Sequence, residues 1–256
     1  MSIPVNLVSL AAFAAALVRA SAFLSVAPPF AGGLFSPRVR GMVALAFALA
    51  TYSVVPTSVA DLGTFAFLIM ILGQLVIGLA LGFAVLITFS AARSAGEIID
   101  NLTGSTLSVV FDPLSGQHSP VIGRFYQLAF TACLFAINGH LLLVAGFRRT
   151  FVALPLVGSV HPGKLAQAAG ALTGQLALSA LEIAGPILVA LFLIEMSLGL
   201  LARAAPQLNV LVLGLGVKAL VSILLLIMFV PAIPALTSRL LDHIGAAMAL
   251  VARAFT

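Results

Sequence analysis

The stretch "RAAPQLNVLVLGLGVK", residues 203–218, sets polar side chains inside one of the most apolar parts of the chain. Arg203 and Lys218 bracket this stretch, and Pro206 stands near its start. Because proline removes a backbone donor and clashes with the preceding turn, it predicts a break there. The apolar residues that follow it predict a new helix.

Polar residues of the same stretch recur at helical spacing. At about 100° per residue, Gln207, Gly214 and Lys218 would lie within roughly 40° of one another on one helix face. Asn209 and Arg203 add polar groups close by. We therefore predict a polar stripe here that lines a pore or contacts another subunit.

The composition around this stretch is that of a membrane protein. Of the 256 residues, 62% are hydrophobic and 7% are charged, and the mean hydropathy is +1.25. Soluble domains carry about 25% charged residues, and apolar runs longer than about 18 residues predict membrane helices. We therefore expect an all-α, membrane-associated chain with lipid as a partner. The twelve cations are scattered rather than clustered, which argues against nucleic acid.

Apolar segments and loop charges bear on topology. Six apolar segments are predicted, at about 5–27, 41–60, 65–91, 125–147, 172–201 and 208–236. If all six crossed a membrane, five Lys and Arg residues would lie on each side, so the positive-inside rule gives no orientation. A simple six-span bundle is therefore not expected.

Four charged residues fall inside these apolar segments. Each would cost about 3 kcal/mol at the centre of a lipid-facing helix, so each must face protein, water or a partner chain. Internal structural pairs and subunit contacts both remain open. Glu182 and Glu195 lie roughly 220° apart around a helix, which excludes a paired-carboxylate site. The four are Arg19, Glu182, Glu195 and Lys218.

Small residues at helical spacing predict close helix packing. Gly78 and Gly82 are four apart, as are Gly170 and Gly174. Pairs of this kind let helix backbones approach each other in lipid.

Enzyme motifs are missing from the sequence. It has no HExxH, GxSxG or P-loop, and its four histidines lack metal-ligand spacing. Glu97 and Asp100 have no histidine or nucleophile near them in sequence. We expect no enzyme, cofactor or metal. A secondary transporter is an alternative that fits the break at Pro206, but the two halves lack the internal symmetry such folds show.

Five segments in order carry a family resemblance. They are Arg19 with "AP" at 27–28 and "SPRVR" at 36–40, "RSAGEIID" at 93–100, "FDPLSGQHSPVIGRF" at 111–125, "INGH" at 137–140 and "APQLNVLVLGLGVK" at 205–218. With these segments the sequence resembles the FliR family of the flagellar type III export gate. The injectisome members of the family share the last segment, so an injectisome gate is the alternative.

This resemblance implies a structural role in protein export. It implies a single domain over 1–256, with helical hairpins, a FliP-like part at 1–150 and a FliQ-like hairpin at 160–256. Homologues of FliP and FliQ would join it in a channel for unfolded flagellar subunits, with FlhB and FlhA as further partners. The expected location is the bacterial inner membrane, in the flagellar basal body.

The resemblance also implies site residues. A gate-closing loop matches roughly residues 104–116, where Leu107, Val110 and Phe111 would form an apolar plug. Polar residues would contact neighbouring subunits or line the export path. These are Arg19, Glu97, Asp112, Glu182, Glu195, Arg203, Gln207, Asn209 and Lys218.

Overall fold

The computed structural model describes residues 7–28, 30–31, 35–51, 64–104, 120–154, 161–207 and 209–255. Over these residues the chain is all-α, without a strand, as the sequence predicts. The α-helices of the described residues are α1 (Leu7–Val26), α2 (Pro37–Thr51), α3 (Thr64–Thr103), α4 (Val121–Ala136), α5 (Gly139–Ala153), α6 (Pro162–Ala204), α7 (Val210–Phe229) and α8 (Ile233–Arg253).

Helix α3 is longer than its apolar segment. The sequence predicts an end near residue 91 and a polar stretch beyond it, whereas α3 continues to Thr103. Alanines and isoleucines in "AARSAGEIID" keep one face apolar, and Ala92, Ala95 and Ile99 are buried. Gly104 then adopts φ 77°, the left-handed conformation that commonly ends a helix.

The predicted segment 125–147 is two helices rather than one. Helix α4 ends at Ala136, and Asn138 has φ 58° directly before α5. Asparagine tolerates this left-handed conformation better than most residues, and a helix cannot continue through it. The sequence shows a single apolar segment here because hydropathy does not report backbone conformation.

Most of helix α8 lies beyond the last predicted apolar segment, which ends at about residue 236. Its buried side chains, including Leu240, Ile244, Ala247 and Val251, recur every three or four residues, with polar residues between them. An amphipathic helix of this kind has a lower mean hydropathy than a lipid-facing one, so a search for apolar runs misses it.

Contacts divide the chain into two compact units. Unit 1 comprises Met1–Phe89, Asn138–Gly174 and Leu241–Thr256, and unit 2 comprises Ser90–Ile137 and Gln175–Leu240. Helices α3, α6 and α8 each contribute to both units. The proposed division into residues 1–150 and 160–256 stays a prediction.

In unit 1, α3 lies directly on the backbone of α1. A Cβ added at Gly78 would come within 2.5 Å of the Arg19 carbonyl oxygen, and one at Gly82 within 2.8 Å of the Phe23 oxygen. The predicted close packing is confirmed at this pair. Around Gly170 and Gly174 no described atom comes that near, so the same prediction is not borne out there.

The core of unit 1 is aromatic. Phe147 of α5 packs against Phe23 of α1 with ring centroids 4.8 Å apart, and against Phe47 of α2 at 5.6 Å. Phe151 meets Phe147 edge-on at 5.3 Å. These rings fix α1, α2 and α5 together around one buried cluster.

In unit 2, α6 and α7 form an antiparallel hairpin. Leu198 Cδ1 would lie 3.0 Å from a Cβ added at Gly214, and Lys218 of α7 meets Glu195 of α6. Positions later in α7 therefore meet positions earlier in α6. The end of α3 and α4 complete the unit, with Tyr126 and Phe130 in ring contact.

Among the described residues, three helical stretches are long and apolar enough to cross a membrane: Thr64–Thr103, Pro162–Ala204 and Val212–Arg253. The last of these includes α7, a short 3-10 turn at Val230–Ala232 and α8. A fourth exists if the broken pair α4 and α5 counts as one span. The expectation that the six segments are not six simple spans is confirmed.

Candidate functional site

An ion pair joins the two helices of the hairpin. Lys218 Nζ donates to Glu195 Oε2, and the Lys218 side chain is 14% exposed while that of Glu195 is 59% exposed. A cleft of about 240 Å³ lies beside the pair, between Ala202 of α6 and Val210 of α7. The two charges thus have each other as partners, which is the internal pair that the sequence left open.

A sequence signal for this pair exists but is easily missed. Glu195 lies eleven residues before Pro206, and Lys218 lies eleven residues after Gln207. If the chain reverses at Pro206 and Gln207, equal distances along the two helices bring these side chains to the same level. The equal spacing of Glu195 and Lys218 from the turn therefore predicts that these two residues pair. The cost of each charge in lipid predicts only that each residue needs some partner.

The polar residues of the opening motif lie at the tip of the hairpin. Arg203 is in the last turn of α6, and Asn209 caps α7 by accepting a hydrogen bond from the Val212 N–H at 3.4 Å. Gln207 lies in the turn before α7. The predicted stripe is therefore wrong for Gln207, because the helix begins only after Asn209. All three side chains are exposed.

Glu182 differs from Glu195 on the same helix. It is exposed on α6 and makes no ion pair or hydrogen bond with a described residue. Leu178 and Leu181 beside it are exposed as well. A carboxylate on an apolar face of a candidate span requires a partner, and none of the described residues supplies one.

Arg19 lies inside unit 1. Its residue is 0% exposed, Nε donates to Gln74 Oε1 at 2.6 Å, and Nη1 donates to the Thr150 carbonyl at 3.2 Å. The guanidinium also stacks over the Phe151 ring at 4.1 Å. Arg19 thus joins α1, α3 and α5 as an internal contact. An internal contact was one of the two alternatives that the sequence left open, the other being a contact with another subunit.

Burial governs the charge of this group. Helix α1 is not among the candidate spans, and burial lowers the pKa of the Arg19 guanidinium to about 9. At neutral pH the group therefore stays a cation, held by two neutral oxygens and an aromatic face. The motif search located Arg19 but gave no indication of Gln74 or Phe151, which lie far away in sequence.

A close contact joins α3 to α4 in unit 2. Asp100 Oδ2 accepts a hydrogen bond from the Gly123 N–H at 2.9 Å. A Cβ added at Gly96 would lie 2.5 Å from Gly123 Cα, so the helices touch backbone to backbone. We call Gly96, Asp100 and Gly123 the α3–α4 contact. The motifs "RSAGEIID" and "SPVIGRF" contain all three residues, but spacing alone does not pair them.

Glu97 lies next to this contact. Its Oε1 accepts from Arg93 Nε at 2.7 Å, an ion pair one turn apart on α3. Both side chains are partly exposed. The pair leaves Glu97 at the surface of unit 2, where contact with another subunit stays a prediction.

The predicted plug lies outside the described residues, as does Asp112. What the structure gives is the residues on either side of that segment: α3 ends at Thr103, directly before Gly104, and Pro120 precedes α4. The α3–α4 contact, inside unit 2, ties these two helices together near their ends. Among the described residues no group of three His, Cys, Asp or Glu could hold a metal ion.

Comparison with known proteins gives the class. The family model of bacterial export proteins, family 1, matches residues 10–244, nearly the whole chain. This chain belongs to that family, whose members are structural components of protein-export machinery.

The relatives include flagellar biosynthetic proteins and a translocation protein. The chain is 31% identical over 231 residues to flagellar biosynthetic protein FliR of Escherichia coli (strain K12), covering 89% of this chain and 87% of the relative. It is 28% identical over 227 residues to FliR of Pectobacterium carotovorum subsp. carotovorum, with the same coverage. Yop proteins translocation protein T of Yersinia pestis is 31% identical over 195 residues, 75% of this chain and 71% of that protein.

Proposed function

We propose that the chain is a structural subunit of the flagellar type III export gate. It forms the conduit for unfolded flagellar proteins with FliP and FliQ homologues, in the inner membrane at the flagellar basal body. FlhB and FlhA homologues are its further partners. The two FliR proteins named above support this assignment, because each matches 89% of the chain, whereas the Yersinia translocation protein matches 75%.

Glu182 carries the proposal that the chain works inside a larger complex. Its carboxylate stands on an exposed apolar face of α6 and has no partner among the described residues. Exposure of this charge to lipid costs about 3 kcal/mol. A subunit that offers a cation or hydrogen-bond donors at this position removes that cost. Assembly of the complex therefore depends on the charge of Glu182.

Co-expression with FliP and FliQ homologues tests this coupling. We expect a discrete complex of all three with the unchanged chain, and about 100-fold weaker association for Glu182→Lys, since about 3 kcal/mol corresponds to two factors of ten. Lys164→Glu is the matched control, because it reverses an exposed charge in the first turn of the same helix. A stable chain that purifies alone, or equal loss from both variants, refutes the proposal.

The injectisome remains the second candidate, supported by the similarity to the Yersinia translocation protein. Complementation separates the two. The chain should restore motility to a flagellated host that lacks its own FliR. Restoration of injectisome secretion, without motility, assigns the chain to the other apparatus.

We further propose that Leu107, Val110 and Phe111 close the idle conduit. Bulky apolar side chains exclude ions from a narrow pore by dewetting it. The α3–α4 contact supports this proposal, because it ties together the helices that precede and follow these residues in the chain.

The leakage of small ions through the idle conduit measures this closure directly. Replacing all three residues by alanine should leave the complex assembled and raise membrane conductance to small ions. The control replaces three exposed leucines of α6 by alanine, outside the segment. An assembled triple variant as tight as the unchanged protein refutes the plug.

A further inference from the structure

A cleft of about 420 Å³ lies within unit 1, between α5 and the end of α8. Gly146 and Gly245 line it, where a side chain would otherwise fill the space. Leu142 and Met248 give it apolar walls. The volume is that of a small-molecule site, so the cleft is large enough for a ligand headgroup with part of an alkyl chain.

Two opposite charges line this cleft. Arg149 of α5 and Asp242 of α8 both border it, both are exposed, and neither forms an ion pair or hydrogen bond with a described residue. The pair has no net charge, but each group lies beside apolar walls and lacks a partner in the described part of the chain. A ligand that complements both must carry an anion and a cation and be neutral as a whole.

The surroundings of the cleft are apolar. Leu142, at its edge, is exposed, as are Leu141 and Val152 elsewhere on α5. In a chain whose described residues include three candidate membrane spans, such a surface lies against acyl chains or another protein. Charged groups at the edge of an apolar surface match the arrangement of a lipid headgroup above its acyl chain.

We propose that this cleft binds a zwitterionic phospholipid with a primary amine, of the phosphatidylethanolamine type. Arg149 binds the phosphate, since a guanidinium presents paired N–H donors to its oxygens. Asp242 accepts hydrogen bonds from the ammonium group, which a two-carbon bridge holds close to the phosphate. The apolar walls take the first part of an acyl chain.

The chemistry of the two charges separates this ligand from other lipids. Phosphatidylglycerol offers Arg149 a phosphate but gives Asp242 no cation. Phosphatidylcholine carries a positive charge without N–H donors, so it cannot donate a hydrogen bond to the carboxylate. The cleft should therefore prefer the ethanolamine headgroup to both.

Lipid retention tests the proposal. The full-length tagged chain is extracted from bacterial membranes in mild detergent, and its bound lipids are quantified by native mass spectrometry. We expect enrichment of phosphatidylethanolamine over phosphatidylglycerol, and about tenfold lower retention for Arg149→Ala or Asp242→Asn, the loss of one charge-assisted hydrogen bond. The control is Arg148→Ala, which removes a neighbouring exposed arginine that does not line the cleft.

A change of preference gives a second test. Asp242→Lys places two cations in the cleft, so the retained lipid should change to phosphatidylglycerol. For variants that fold poorly, the unchanged chain is compared in vesicles of either phosphatidylethanolamine or phosphatidylcholine, where only the first should raise its melting temperature. No headgroup preference, or equal loss from Arg148→Ala, overturns the proposal. Release of a co-purifying protein by Arg149→Ala, at constant lipid content, also overturns it, because the occupant is then a protein.

Discussion

The backbone contact between α3 and α4 makes alanine at position 96 a sensitive probe of unit 2. The new Cβ would lie 2.5 Å from Gly123 Cα, 2.6 Å from Gly123 N and 2.7 Å from the Ile122 carbonyl oxygen. All three are backbone atoms, so no side-chain rotation relieves the clash. Non-bonded carbons need about 3.5 Å, and α4 must therefore retreat by about 1 Å.

This retreat also breaks a hydrogen bond. The 2.9 Å bond from the Gly123 N–H to Asp100 would stretch beyond hydrogen-bonding distance. Loss of a bond to a charged acceptor costs about 1.5–3 kcal/mol, and overpacking costs about 1–3 kcal/mol. The higher helix propensity of alanine offsets about 1 kcal/mol of this loss of stability. The net destabilisation of Gly96→Ala is therefore about 2–5 kcal/mol.

Gly73→Ala, on the same helix, is the matched control. No atom of a described residue lies within 4 Å of a Cβ at position 73, so only the helix propensity changes. Thermal unfolding followed by circular dichroism should show a melting temperature lowered on the order of 10 °C by Gly96→Ala, and raised about 2–4 °C by Gly73→Ala. If Gly96→Ala melts at or above the unchanged protein, the close approach of α3 and α4 is wrong.

Two further predictions concern the paired and buried charges. Reversing the charge of either Glu195 or Lys218 should lower complex yield or motility. The double variant Glu195→Lys with Lys218→Glu should restore most of the lost yield or motility, because it keeps an ion pair at the same place. If the double variant does not restore them, each residue has a partner in another subunit. Arg19→Ala should destabilise the chain by about 3–5 kcal/mol because it empties a buried site and removes the hydrogen bonds to Gln74 Oε1 and the Thr150 carbonyl, while Arg38→Ala, at an exposed position of α2, should change stability by less than about 0.5 kcal/mol in the same melting experiment.

Hydropathy alone predicts much of the helical content, but not where helices break. The segment at 125–147 reads as one apolar run, yet Asn138 adopts a left-handed conformation within it. Helix α8 is missed for the opposite reason, since its polar face lowers the average. A search at the helical period, rather than for apolar runs, would detect the spacing of Leu240, Ile244 and Val251.

Some site residues can be identified from the sequence one at a time, but their partners lie far away in sequence. The cost of a charge in lipid identifies Arg19 and Lys218 from the sequence, because that cost depends on one residue at a time. Their partners are contacts across helices, and Gln74 lies 55 residues from Arg19. Such pairings require the packing of the helices, except where a single turn relates them, as it does for Glu195 and Lys218.

The glycine contact of α3 with α1 has a consequence for the environments in which unit 1 can persist. Gly78 and Gly82 bring one main chain against another, so the attraction comes from dispersion between atoms in direct contact. Burial of oily side chains stabilises an interface only where water is the competing medium, and it loses this advantage among lipid tails. The stability of a contact between two helix backbones depends much less on the surrounding solvent. This part of the chain can keep the same geometry in a bilayer, in detergent or enclosed by other proteins.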